Sequence, residues 1–284
     1  MAARPPLPAA LRRLAGWTKT AAADAGGRVA LGAAGPDGVL GGGIVRAALH
    51  EIHAERTADI ATAAGFAVAL ALRAAHPSTP DAGARRPILW VRQDFLDVET
   101  GGIHPPGLAE LGLDPGRVLL VRARDAGGVL RAAAEGARCT ALAAVLIQPW
   151  GAPRTLDLTA TRRLSLAAAT SGVPVLLLRA AAEPAPSAAA TRWTVRAEPS
   201  RALDANAPGY PVFEVRLVRH RGGVAEQQWR LEWDRDRGCF HDRTGLDRSG
   251  HAGLAPLSRP VVPLPADRSG SPRGGEAAGF RRAG

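Results

Sequence analysis

Leu49-His50-Glu51-Ile52-His53-Ala54-Glu55-Arg56-Thr57-Ala58-Asp59-Ile60-Ala61 is the stretch that decides the fold. Ala47 to His53 reads as a strand. From Thr57 to Ala75 the chain is Ala-rich, and Ile60, Ala63, Ala64, Ala67, Val68 and Leu72 recur at helical spacing. A strand, a short turn and a long helix open a βαβ unit. Working outward, the loop 77–87 leads to Ile88-Leu89-Trp90-Val91, a short apolar run of the kind buried in a parallel sheet. Arg117 to Val121, Leu142 to Ile147 and Val173 to Leu178 repeat that pattern. Between them, Gly107 to Gly112, Ala126 to Arg138 and Thr159 to Ser171 read as helices, the last stopping at Gly172. This alternation predicts an α/β fold with a mostly parallel sheet and right-handed crossovers.

The pattern changes after residue 210. In Val212 to Arg219, Phe213, Val215 and Leu217 share one face, with Glu214 and Arg216 on the other. Gln228 to Asp234 likewise separates Trp229, Leu231 and Trp233 from Arg230 and Glu232. Gly222-Gly223 between them predicts a C-terminal antiparallel β-hairpin. Leu7, Leu11, Leu14 and Trp17 mark an amphipathic helix over 7–23, and a Gly-rich segment follows at 26–43. The expected organisation is a helix and linker over 1–43, a domain over 44–242 and a disordered tail over 243–284.

The chain has 284 residues, is 46% hydrophobic and has a formal charge of +10. It holds no run of eighteen uncharged apolar residues, so no membrane segment is expected. Its N-terminus lacks the order of a secretory signal. Cys139 and Cys239 are expected as free thiols, in a cytoplasmic setting. The positive charge favours contact with a polyanion. Lys19 is the only lysine, however, and the heavy use of Ala, Arg, Gly and Pro resembles a coding bias.

Ligands of such a sheet bind beyond the carboxyl ends of its strands. A working phosphate loop there needs Gly-x-x-x-x-Gly-Lys-Ser/Thr: glycines to let amides close on phosphate, lysine to neutralise it and a hydroxyl to hold magnesium. The spacing from Ala54 to Ala61 fits that motif, but Ala54 and Asp59 replace the glycines, Ile60 the lysine and Ala61 the hydroxyl. After the strand 144–147, Gln148-Pro149 stands where a metal-binding Asp would follow. No cofactor, no metal and no catalytic residue is therefore expected. His50 and His53 fall on opposite strand faces, no Cys/His cluster has zinc spacing, and Ser165 lacks a nucleophile elbow. Leu164, Leu166 and Ala167 read as the buried side of the 159–171 helix. Arg162 and Arg163 face DNA, a partner's carboxylates or water. Arg216, Arg219 and Arg221 are the candidate DNA-phosphate patch, and Arg192 precedes Trp193 on a strand, where a core-edge stacking role is read in preference to base stacking.

The order of elements resembles the recombinase RecA, and the details are similar to its degenerate paralogue family, ImuA. The resemblance rests on Leu49-His50-Glu51-Ile52 with the helix to Phe66, Ile88-Leu89-Trp90-Val91, and Pro106-Gly107-Leu108 with Leu111-Gly112-Leu113-Asp114-Pro115. It continues through Leu156-Asp157-Leu158-Thr159, Arg162-Arg163-Leu164, Thr191-Arg192-Trp193 and the hairpin from Arg216 to Trp233, covering about 40–242. It implies a RecA-like domain that acts as a non-enzymatic accessory factor of SOS-type translesion synthesis. The partners it implies are a polymerase-like ImuB hub and an error-prone replicative-type polymerase. RecA, DNA and a second copy of the chain are further candidate partners. It places Asp94 near RecA's catalytic carboxylate, and the RecA DNA loops at about 151–157, which offers Arg154, and 181–190, which is Ala/Pro-rich and lacks the glycines and polar residues that such a loop would use on phosphates. A divergent ATPase and a single-stranded DNA-binding module are the alternatives.

Overall fold

The computed structural model describes residues 27–75, 86–180, 182–203, 207–223 and 226–244. The expected helix over 7–23 and all but the first two residues of the expected tail lie outside the described residues.

β1 (Arg28–Val29) and β2 (Ile44–Val45) form a small antiparallel pair around α1 (Ala34–Val39). Then come β3 (Leu49–Ala54), α2 (Ile60–Ala75), β4 (Ile88–Gln93), α3 (Phe95–Thr100), α4 (Pro105–Glu110) and β5 (Val118–Ala123). α5 (Ala126–Gly136), β6 (Ala144–Gln148), α6 (Leu158–Ser171), β7 (Val175–Arg179) and β8 (Thr191–Glu198) follow. The last elements are β9 (Val212–His220), β10 (Gln227–Asp234) and β11 (Cys239–Asp242). One nine-stranded sheet runs in the order β11-β10-β9-β8-β3-β7-β6-β4-β5. Its strands are parallel from β8 to β5 and antiparallel from β8 to β11. β3 is thus central, held between β7 and β8. The expected hairpin is β9–β10, and β11 extends it into a meander.

Side-chain alternation explains the layers. In β4, β6 and β7 both faces are apolar. Ile88, Trp90, Leu146 and Leu176 meet α2, whereas Leu89, Val91, Val145 and Leu177 meet α5 and α6. In β8–β10 only one face is apolar. Trp193, Val195, Phe213, Val215, Trp229 and Trp233 all join the α2 core. Phe66 of α2 anchors that side, with ring centroids 5.9 Å from Trp193, 5.7 Å from Phe213 and 5.5 Å from Phe240. Thr57–Ala75 is apolar and long enough to cross a membrane by composition, and it is mostly buried as this core helix.

Three expectations need correction. The Gly-rich segment is no linker from 27 onward: Val29, Leu31, Leu40 and Ile44 are buried in the α2 core. The Asp37 carboxylate accepts from the Leu31 and Gly32 amides at 2.7 and 2.8 Å, and Arg73 Nε donates to Ala30 O at 2.7 Å. The glycines there shape turns. Gly43 has φ +117°, and a Cβ on it would lie 2.1 Å from Val29 O. Gly43→Ala is therefore expected to lower the unfolding free energy by at least about 2 kcal/mol. A urea midpoint that hardly moves would separate this segment from the cooperative fold. Next, Leu166 is not buried but 68% exposed, because Thr161, Leu164, Ala167 and Ala168 form the inner stripe of α6 and Leu166 points the other way. Lastly, the expected 107–112 helix begins at Pro105, with the His104 ring accepting from the Gly107 amide. The end of α6 falls as expected, at Gly172 with φ 73°.

His50 points to the α2 side and is fully buried. Its Nε2 lies 2.8 Å from Val45 O and its Nδ1 2.7 Å from Thr191 Oγ1, which accepts from Trp193 Nε1 at 2.8 Å. A carbonyl only accepts, so Nε2 carries the proton and Nδ1 accepts from the threonine hydroxyl. Burial, which outweighs the Val45 carbonyl, pushes the imidazole pKa from 6.5 down to about 4. The unfolded chain then binds a proton below pH 6.5 that the folded chain refuses until about pH 4. Stability should therefore fall as pH drops through that window, by about 2 kcal/mol between pH 7 and pH 5. Urea titrations at the two pH values check this, and His50→Gln should flatten the dependence. An equal slope in that variant would assign the effect elsewhere.

Candidate functional site: the carboxyl ends of the parallel strands

The turn after β3 is closed on itself. Glu55 donates its amide to Val195 O at 2.9 Å, and Thr57–Asp59 forms a single 3-10 turn before α2. Asp59 is buried, and its carboxylate accepts from Arg56 Nε at 2.9 Å and from the Ala197 amide at 3.1 Å. Burial alone would raise this carboxyl's pKa. The Arg56 and Ala197 hydrogen bonds and the Arg56 charge outweigh it and hold the group below the usual Asp range. The turn is thus held closed by an internal carboxylate.

The crevice beside it is filled. Ile60, Leu96 and Ala180 are buried together, with Ala54 and Trp150 packed against them, and Phe95 stands edge-on to Trp150 at 5.5 Å. Ile60, which falls at the lysine position of the motif spacing, is thus an apolar, buried side chain.

The ends of β4 and β6 hold a buried cation. Arg92 is 4% exposed; its Nε donates to Gln148 Oε1 at 3.1 Å and its Nη1 meets Asp97 at 2.6 Å. Trp90 Nε1 donates to the same Gln148 oxygen at 3.2 Å. Burial lowers the Arg92 pKa, with Asp97 opposing, but the group stays charged. Gln93 Oε1 accepts from the Trp150 amide at 3.1 Å. These two side chains had no signal in the sequence beyond ending an apolar run. Asp94, the residue expected near a catalytic carboxylate, is exposed, and its amide donates to Ala123 O at 2.8 Å. Among the described residues, no three metal-ligating side chains converge.

The candidate DNA residues separate into two groups. Arg154, Arg162 and Arg163 are exposed on the loop after β6 and on α6, and none has a hydrogen bond or ion pair with a described residue. The hairpin arginines are engaged. Arg216 sits 3.2 Å from Glu226 and 3.8 Å from Glu55. Arg219 donates to Ser187 O at 2.9 Å and Arg221 to Ala188 O at 2.8 Å. A β-bulge at Arg192/Trp193 turns Arg219 to the side of Arg216. The 182–190 segment is therefore fastened down. Ala188–Ala190 are buried, the Ala188 amide donates to Thr161 Oγ1, and the Ala190 amide donates to Leu49 O. Trp193 is fully buried, so it offers no face to a base.

On the face away from α2, β3 and β8–β10 carry a ladder of charge pairs. Arg192 meets Glu51 at 2.7 Å, Arg196 meets Glu214 at 2.7 Å, Arg230 meets Glu198 at 3.3 Å, and Arg243 meets Glu232 at 2.7 Å. Each of these pairs is neutral, so the formal excess of +10 is carried by arginines outside them. A cleft among Glu55, Thr194, Arg196, Glu214, Arg216 and Gln228 measures about 30 Å³, enough for water and far too small for a nucleotide. His53 lies on this face, its Nε2 3.7 Å from Glu51, and so does not share a ligand with His50. Both cysteines are free thiols. No protein-family model matches the chain, and no curated protein matches it.

Proposed function

We propose that the chain is a degenerate RecA-like domain of the ImuA kind. In that role it is a non-enzymatic accessory factor of damage-induced, error-prone translesion synthesis. It would serve as an adaptor for a polymerase-like hub and an error-prone replicative-type polymerase. The observation that carries this reading is the filled crevice. Beyond the ends of the parallel strands, Ile60, Leu96 and Ala180 are buried together with Trp150 against them, and Asp59 is pinned beside them, which supports a scaffold over a nucleotide site. The strand order supports the RecA-like part: the first core strand, β3, is central, and β6 and β7 are inserted between it and the second, β4. The fastened 182–190 segment favours a scaffold over a filament-type DNA loop.

Deletion of the gene in its bacterium tests the biological role. Damage-induced mutation frequency should fall to the uninduced level, and an unchanged frequency would overturn the role. Calorimetry with ATP and magnesium tests the biochemical half. No heat beyond dilution is expected, and micromolar binding would return the chain to the ATPases.

A further inference from the structure

The outer face of α6 has no role in the fold. Its inner stripe is narrow, and Leu158 and Leu166 are left 41% and 68% exposed. Leu158, Arg162 and Leu166 follow one another at intervals of four, so they form a single line along the helix, with Arg163 beside it. Arg162 and Arg163 are unpaired among the described residues, as are Arg154 on the preceding loop and Arg131 on the neighbouring α5. The acids of these elements are already used: Asp157 caps α6 and Asp125 caps α5, each through a backbone amide, and Glu135 meets Arg138. The surface is therefore a line with an exposed leucine at each end and Arg162 between them, with Arg163 alongside.

We infer that this line is a docking surface for an acidic amphipathic helix of a partner protein. The leucines decide between partners. A phosphate backbone rewards the arginines alone, whereas a helix with leucines on one side and carboxylates beside them covers Leu158 and Leu166 and neutralises Arg162 and Arg163 together. The inference rests on the adaptor role and adds to it the surface and the chemistry of what docks there.

The test uses the full chain and fluorescent peptides. One is a short helical peptide with leucines every third or fourth position and glutamates on the flanks; the other has lysines in place of the glutamates. Anisotropy is read for the parent, Leu166→Glu and Arg162→Glu/Arg163→Glu, whose altered side chains are exposed; matched circular-dichroism melts check their folding. The acidic peptide should bind the parent in the micromolar range and at least about tenfold more weakly to either variant. The lysine peptide should recover binding to the double variant. The inference is overturned if the parent does not bind the acidic peptide, if it binds both peptides alike, or if Leu166→Glu binds undiminished. Displacement of the peptide by a single-stranded oligonucleotide also overturns it and makes the surface a phosphate site. Because the probes are peptides, failure here leaves the deletion phenotype standing, and a missing phenotype leaves the peptide result standing.

Discussion

Arg192→Ala is expected to cost about 3–5 kcal/mol of unfolding free energy, because it strands a buried carboxylate. Glu51 is 1% exposed on the central strand, and Arg192 Nε lies 2.7 Å from its Oε2. Burial alone would raise the Glu51 pKa. His53 and Arg192, with Ser187, outweigh it and hold the carboxyl below the usual Glu range. The pair therefore contributes stability above the ordinary Glu pKa, and that stability is lost as pH falls further. Arg192 also donates to Ala185 O and to Ser187 Oγ, so its removal frees the 182–190 segment as well. Urea unfolding reads the first effect and amide exchange at Ala188–Ala190 the second. Glu51→Gln added to Arg192→Ala should recover part of the loss, because the uncompensated charge is then gone. A loss under about 1 kcal/mol in the single variant would mean that His53 and the Arg179 charge, not Arg192, compensate Glu51.

The sequence makes the parallel half of the sheet legible, and the reason is physical. Strands such as Ile88–Gln93 and Val175–Arg179 are buried on both faces, so they read as continuous apolar runs. The departure of residues 54–61 from the Gly-x-x-x-x-Gly-Lys-Ser/Thr spacing is read from the sequence alone, since such a motif needs no tertiary contact to judge. The packing beside that turn is not. Ile60, Leu96, Trp150 and Ala180 come from four separate crossovers and meet only when the sheet forms. The Arg192–Glu51 pair spans 141 residues, and no local pattern couples the two. Arg219 and Arg221 read as a free basic patch because their acceptors are backbone carbonyls of a loop 32 and 33 residues earlier. β11 hides for a different reason: in Cys239–Asp242 only Phe240 is fully buried, too little alternation to mark a strand.

Ile60→Lys, which puts a lysine at that position of the phosphate-loop spacing, is expected to destabilise the domain by about 4 kcal/mol or more. The position is 4% exposed, and its neighbours Leu96 and Ala180 are 0% and 1% exposed. An ammonium there meets hydrocarbon and no free acceptor. The nearest acid in sequence, Asp59, is already committed to Arg56 and to the Ala197 amide. Burial would drive the new lysine toward its neutral form, and the loss should therefore ease at alkaline pH, where the unfolded chain also gives up the proton. Adding Ala54→Gly, Asp59→Gly and Ala61→Thr completes the motif on paper but removes the anion that holds Arg56 and β8. The four-fold variant should be less stable than the single one and should still fail to bind ATP and magnesium in calorimetry. Chemical denaturation and calorimetry on the two variants together separate two histories of the site. A site that has only lost its ligating groups would regain nucleotide binding when they are returned. A site whose space has been taken by Leu96, Ala180 and Trp150 would not, because those side chains are core and must stay where they are.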